Sequence, residues 1–236
     1  MKALYLRTYL RQLKLQGFTW ANAGNVKYFG RWQRSLGQSS SPLVDEIPWI
    51  TFRAADYLIK HLRNECQVFE YGTGGSTLFF LKKNARVVSV EHDPKWFATV
   101  QEVINRKGLT RWTGHLIFPE SGNLASHAET SNPAHYASRD VANVHFKTYA
   151  ESIDQYPNGC FDIVVIDGRS RPACLMHATP KVRIGGLLVL DNAERSYYLS
   201  HQNESLLRHY SPVIWGKGAS PYAWEFTQTN IWLKLA

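Results

Sequence analysis

Apolar residues recur along this chain with two different periods. Short runs rich in β-branched residues alternate with stretches whose apolar positions repeat every three or four residues, the pattern of strands alternating with helices. Val68 to Tyr71 reads as a strand, Ser76 to Asn84 as a crossover helix and Arg86 to Glu91 as a second strand, which together make a βαβ unit. Upstream, Trp49, Phe52, Leu58, Ile59 and Leu62 fall on one helical face. Asp93-Pro94 supplies an N-cap and a proline for the next helix, whose expected buried face is Trp96, Phe97, Val100, Val103 and Ile104, with Gly108 as its stop. Further strands are expected at Gly114 to Phe118, Cys160 to Ile166 and Gly186 to Leu190, with a helical face at Phe146, Tyr149 and Ile153 before the second of these. Segments 212–215 and 222–235 read as a closing β-hairpin. The polar stretch from Glu120 to Val144 exceeds an ordinary connection, so it is either a lid or substrate loop, or a disordered insertion.

Length changes this picture little, but charge changes it. The 236 residues suit one α/β domain. No apolar run is long enough to cross a bilayer, and the first residues lack a signal peptide's apolar core. Three scattered cysteines fit neither a disulfide framework nor a zinc site, which points to a reducing, cytoplasmic setting. The loop around Ser39-Ser40-Ser41-Pro42 divides a basic extension, residues 1–44, from a body, residues 45–236. Seven of the 27 basic residues and none of the 19 acidic ones lie in that extension, leaving the body almost neutral. Leu6, Tyr9, Leu10 and Leu13 recur at helical spacing beside a row of Arg7, Arg11 and Lys14. The favoured expectation is a helix that packs its leucines on the body with its charges in solvent. A peripheral contact with an anionic membrane or an acidic partner is the second reading. An organellar transit segment is a third, weakened by the aromatic content and the absence of a clear cleavage signal.

Chemistry concentrates in Val68-Phe69-Glu70-Tyr71-Gly72-Thr73-Gly74-Gly75-Ser76-Thr77. Gly72, Gly74 and Gly75 permit left-handed backbone and close approach of a ligand, and Ser76-Thr77 can cap the helix that follows. A dinucleotide site offers free amides to an anionic pyrophosphate, which a carboxylate at Glu70 would repel, and Thr77 stands where its third glycine belongs. S-adenosyl-L-methionine has no phosphate and carries an ammonium that an acidic group can meet. Glu91 follows Glu70 by 21 residues at the next strand end, the place for an acid that binds ribose hydroxyls, which is the favoured reading over N-terminal charge for the helix after Asp93. His92 beside it is a candidate adenosine contact. His115, His127, His135, His145 and His177 are scattered and carry no assigned role.

Ligands of open parallel sheets sit beyond the carboxyl ends of the strands. Those ends here carry Asp167-Gly168-Arg169-Ser170-Arg171 and Asp191-Asn192. Asp167, Asp191 and Asn192 form an oxygen set suited to a divalent cation such as Mg²⁺, or else Asp167 and Asp191 cap the following helices. Arg169 and Arg171 are candidates to clamp an anionic acceptor, or are local ion pairs.

These segments, with Gly185-Gly186-Leu187-Leu188-Val189-Leu190-Asp191-Asn192, resemble the class I S-adenosylmethionine-dependent methyltransferases, and are closest to their small-molecule methyltransferase-like group. The resemblance covers roughly residues 48–235 and implies a Rossmann-like αβα sandwich whose mostly parallel seven-stranded sheet has an antiparallel last strand. It implies Glu70, Gly72, Gly74, Gly75, Ser76, Thr77, Glu91, His92 and Asp167 as cofactor residues. The chain is also similar to catechol-type O-methyltransferases at Asp167, Asp191 and Asn192, but Ser170 stands where those enzymes carry a lysine base. Asp167 is then the candidate base. The Asn/Asp-Pro-Pro-aromatic motif of nucleic-acid amino-methylating enzymes is replaced by Asp167-Gly168-Arg169-Ser170, which counts against nucleic acid. The function expected is methyl transfer to an oxygen of a small molecule or saccharide. The alternatives are a binding or scaffold protein that keeps the cofactor fold, and an NAD-dependent oxidoreductase.

Overall fold

A computed structural model describes residues 1–122, 129–139, 141–200 and 204–236, with backbone alone at 20 and 21. The helices are α1 (Lys2–Gln16), α2 (Trp20–Ala23), α3 (Phe29–Ser35), α4 (Pro42–Asp45), α5 (Phe52–His61), α6 (Gly75–Lys82), α7 (Pro94–Arg106), α8 (Lys147–Glu151) and α9 (Arg171–Ala178). Seven strands form the main sheet: β1 (Gln67–Tyr71), β2 (Arg86–Glu91), β3 (Trp112–Leu116), β4 (Phe161–Ile166), β5 (Val182–Leu190), β6 (Tyr210–Ile214) and β7 (Asn230–Lys234). Their order across the sheet is β3-β2-β1-β4-β5-β7-β6. Neighbours from β3 to β5 are parallel, whereas β7 runs antiparallel to both β5 and β6. The expected α/β sandwich with a seven-stranded sheet and an antiparallel last strand is therefore what forms. Strand order reverses between β1 and β4, so their carboxyl ends open the crevice where a ligand belongs.

Burial on both faces explains why these strands read as continuous apolar runs. Phe69, Tyr71, Val164, Ile166, Leu188 and Leu190 face one core with α8 and α9. Their neighbours Val68, Ile163, Val165, Leu187 and Val189 face the other with α5, α6 and α7. Glu70 and Ser89, paired in register across β1 and β2, share the second face by the same alternation. A carboxylate thus sits under α6 in an otherwise apolar layer.

Several expected elements shift at their edges, for steric or packing reasons. Trp49 and Ile59 are exposed, and α5 buries Phe52, Ala54, Ala55 and Leu58 instead; Trp49 precedes the helix and packs edge-on against Tyr222. In α7 the buried residues are Val100 and Ile104, and Trp96 is more than a third exposed because it lies over the glycine turn. Phe146, Tyr149 and Ile153 are fully buried as expected. Of the long polar stretch, Glu120–Ser121 pairs with Val144–His145, and Tyr136, Val141 and Val144 pack on the core. Residues 123–128, including His127, and residue 140 lie outside the described part.

The largest correction concerns α1. Leu6 and Leu10 do not pack on the body, and Leu13 is only half-buried. Tyr5 and Gln12 are its buried residues, whereas Leu6 and Leu10 are each more than half exposed. Tyr5 enters a third core with Tyr28, Trp32, Phe52, Ala219 and Phe226, joining residues of the 1–44 stretch to the body. Trp32 also donates its indole N–H to the Ala223 carbonyl at 2.7 Å. Aromatic area explains the preference, since a buried ring removes more surface from water than a leucine does.

Gly75 starts α6 where that helix meets the chain around α4. A Cβ there would stand 2.2 Å from the Ile47 carbonyl oxygen and 2.6 Å from that of Pro42. Backbone cannot step aside as a flexible side chain would. Gly75→Ala should lower unfolding free energy by about 1–3 kcal/mol, which urea titration would measure, and an unchanged midpoint would show that this contact is slack.

Candidate functional site

The carboxyl ends of β1, β2 and β4 surround a cleft of about 420 Å³ lined by Glu70 through Ser76, Glu91, His92, Asp93, Trp96, Asp167, Gly168, Arg169 and Arg171, with Pro42 and Trp49 at one side. Among the residues expected to hold the cofactor, only Thr77 is outside this lining, and its role is internal. Its hydroxyl accepts from the Gly74 amide at 3.0 Å. Gly72 and Gly74 adopt φ of 102° and 154°, angles that a side chain rarely tolerates, whereas Gly75 is required for space.

The turn's own amides are engaged. The Gly72 N–H donates to the Val90 carbonyl at 2.8 Å, and the Thr73 N–H to Glu91 Oε2 at 3.2 Å. With Gly74 bonded to Thr77, three successive donors are unavailable to a pyrophosphate. Trp96 closes one side, donating its indole N–H to the Thr73 carbonyl at 2.8 Å.

Glu70 is 1% exposed. Its Oε2 accepts from the Ser89 hydroxyl at 2.9 Å, and Ser89 in turn accepts from the Trp112 indole at 3.2 Å. The other oxygen, Oε1, has no hydrogen-bond partner. Burial pushes the carboxyl up to about 7, against the hydroxyls of Ser76, Thr77 and Ser89, which pull it down.

Glu91 has the opposite balance. Burial raises its pKa, but hydrogen bonds from His92 and from the Asp93 and His92 amides outweigh that and leave it lowered. Oε1 accepts from the His92 and Asp93 amides at 2.7 and 3.0 Å. The carboxylate braces the turn into α7, one of the two roles foreseen for it, and it also lines the cleft. Asp93 caps α7 as expected, accepting from the Lys95 and Trp96 amides. His92 is held between neighbours, with Nδ1 2.7 Å from Glu91 Oε1 and Nε2 3.2 Å from Arg169 Nε. The neutral tautomer with the proton on Nδ1 satisfies both contacts.

At the next rim, the expected metal donors meet a guanidinium. Arg171 is 7% exposed. It bonds Asp167 Oδ1 at 2.9 Å, the Asp167 and Gly168 carbonyls at 2.9 and 3.0 Å, and the Asp191 carbonyl. The ring of Tyr198 lies 5.3 Å from its cationic carbon. Asp191 Oδ1 accepts from the Thr229 hydroxyl at 2.6 Å, and Asn192 sits in a left-handed turn at φ 49°. Burial, then Asp167, pushes the Asp191 carboxyl up to about 8, with Arg171 opposing. Burial raises Asp167 too, although a third of its side-chain surface remains open. Asp167, Asp191 and Asn192 therefore fit a divalent cation poorly, because Arg171 already balances Asp167 and the Asp191 carboxylate is bonded to Thr229. Among the described residues no cluster of three or more His, Cys, Asp or Glu could hold a metal. No chemical step is assigned to one. Arg171, expected as an acceptor clamp, is committed to this internal network, and Arg169 remains at the cleft.

Pro42, Trp49 and Trp96 are the lining residues that sequence periodicity missed. Trp96 is adjacent to the capping pair Asp93-Pro94, which was the available clue.

No protein-family model matches the chain, and no curated protein matches it. Solved structures do. An O-methyltransferase candidate from Klebsiella pneumoniae superposes with a TM-score of 0.55 at 16% identity, covering 92% of this chain and 98% of the other. A methyltransferase from Geobacter sulfurreducens superposes with a TM-score of 0.53 at 15% identity, covering 89% and 96%. At such identities the likeness is one of fold: the chain has the fold of the class I S-adenosylmethionine-dependent methyltransferases.

The buried Glu70 makes a signed pH prediction. A carboxyl raised from 4.5 to about 7 on folding stabilises the fold fully below pH 4.5 and loses that contribution as pH rises through 7. Denaturant titrations across that window should show Glu70→Gln losing less stability than the parent, by on the order of 3 kcal/mol. Parallel curves would mean that Glu70 is ionised in the folded apo chain at all these pH values.

Proposed function

We propose that this chain transfers a methyl group from S-adenosyl-L-methionine to an oxygen of a small molecule or saccharide that carries negative charge. The observation that carries the reading is the glycine turn itself: the Gly72, Thr73 and Gly74 amides are bonded to protein acceptors, and carboxylates stand at Glu70 beneath the turn and Glu91 beside it. That environment suits a cationic ligand and repels a phosphate. Glu91 would accept from the ribose hydroxyls, while Gly72, Gly74 and Gly75 let the ligand approach the backbone. Ser76 and His92 line the same cleft, and Trp49 and Trp96 offer apolar surface to the ligand and exclude water.

When bound, adenosylmethionine supplies an electrophilic methyl on a sulfonium. The protein then has to hold an acceptor oxygen in line with that methyl, so positioning supplies most of the catalysis. Arg169 is placed to hold an acceptor anion. Asp167, raised by burial and open to the cleft, is the base for the acceptor proton, and Arg171 fixes its orientation. The absence of an Asn/Asp-Pro-Pro-aromatic motif after β4 favours oxygen in a small acceptor over a nucleobase amine. Residues 45–236 carry this chemistry in the proposal, with Pro42 of the 1–44 stretch at the edge of the cleft.

Calorimetry of the purified chain tests the cofactor. Adenosylmethionine should bind, NADH should not compete, and Glu70→Ala and Glu91→Ala should each weaken binding at least about tenfold, the loss of one charge-assisted contact. Binding of NADH instead, or adenosylmethionine affinity untouched by both substitutions, would overturn the assignment.

A further inference from the structure

The rotation of α1 about its axis is fixed from inside. Gln12 lies 5% exposed, its amide N–H₂ donating to Asn22 Oδ1 at 3.2 Å and to the Lys217 carbonyl, while its Oε1 accepts from Asn25 at 3.1 Å. About two turns earlier, Tyr5 donates its hydroxyl proton to the Asn25 carbonyl, and its ring packs 5.0–5.3 Å from Phe29, Trp32 and Phe226. A buried amide with defined partners cannot turn outward without leaving those partners unpaired. The helix is therefore held with its leucines in solvent.

What it presents there has a definite pattern. Arg7, Arg11 and Lys14 form an exposed row at i, i+4 and i+7. Leu6, Leu10 and the half-buried Leu13 flank that row on one side. Leu4 and Leu15, about three turns apart, flank it on the other. Leu15 and Phe18, just past the helix end, are 72% and 74% exposed. The helix holds no acidic residue. The body's contribution to the small groove alongside Arg11 and Leu15 includes Lys217 and Glu225, so that groove is locally balanced and the outward row is not neutralised by it.

Exposed leucines at Leu6 and Leu10 with a cationic row along their edge match a bilayer interface, where apolar side chains enter the acyl boundary and arginine and lysine reach headgroup phosphates. An acidic protein would meet the basic row but would leave Leu6 and Leu10 to cover, for which this convex, single helix offers no groove. We infer that α1 docks the protein on an anionic lipid surface, lying in the plane of the interface with Leu6 and Leu10 inserted and Arg7, Arg11 and Lys14 along one edge of the contact. The inference is independent of the methyl-transfer reading. Among the described residues no helix is long and apolar enough to cross a membrane, so the contact is peripheral. It would bring the chain to acceptors at a membrane surface.

Co-sedimentation with vesicles of phosphatidylcholine alone and of phosphatidylcholine mixed with phosphatidylserine tests this on the full chain. The parent should sediment with the anionic vesicles, and added salt should weaken but not abolish binding. Leu6→Glu/Leu10→Glu and Arg7→Glu/Arg11→Glu should each reduce it at least about tenfold. All four positions are exposed, so both variants should keep the parent's thermal midpoint, which distinguishes lost docking from lost folding. No binding to anionic vesicles would overturn the proposal. So would binding that survives Leu6→Glu/Leu10→Glu, or equal affinity of the parent for soluble polyglutamate, since either assigns the face to charge alone and an acidic macromolecule.

Discussion

Much of this structure turns on one buried carboxylate that has no cationic partner of its own. Glu70 lies on the face of β1 that otherwise carries Val68, opposite Ser89, and Ser89 and Trp112 hold one of its oxygens in place. An unpaired buried polar atom costs the fold on the order of 1–3 kcal/mol. Nothing in the packing of β1 requires a carboxylate there, since its neighbours on the same face are apolar. The cost has a physical purpose if a cation comes to lie over the turn, for a charge in a dry site acts at greater strength than one in water. The glycines complete the arrangement by removing side chains from the space above it.

The second rim obeys the same electrostatic logic with the opposite outcome. Asp167 and Asp191 approach each other at the ends of β4 and β5, and two buried carboxylates so placed need a cation. The chain supplies its own in Arg171, which also ties together the carbonyls of Asp167, Gly168 and Asp191. The result is a rigid floor with a permanent charge, which leaves Asp167 partly open to the cleft and orients it. One cleft thus joins an acid without a cationic partner, beneath the glycine turn, to one that Arg171 balances at the opposite rim.

Sequence patterning reached the sheet and the grouping of residues around the glycine turn with little error, because both depend on local signals. Strand runs buried on two faces, Asp93-Pro94 at a helix start and glycines between Glu70 and Thr77 each carry their meaning within a few residues. The misses share a cause. Arg171 looks like a surface arginine until β5 brings Asp191 beside it, and Trp49 and Trp96 read as helix-face residues until the turn is folded against them. In α1 the spacing of the leucines was correct and the buried face was not. What decides it is Gln12, a residue that hydropathy places outside, whose partners at Asn25 and Lys217 lie on other parts of the chain.

The central claim is that the Glu70 turn and Glu91 together form a seat for a cationic nucleoside, and a crystal structure of the chain with S-adenosylhomocysteine tests it most directly. The account predicts ribose hydroxyls within hydrogen-bonding distance of Glu91 and the ligand's ammonium over Gly72 to Gly74, above Glu70. A ligand bound outside this cleft, or seated with its ammonium away from the turn and its ribose away from Glu91, would contradict it.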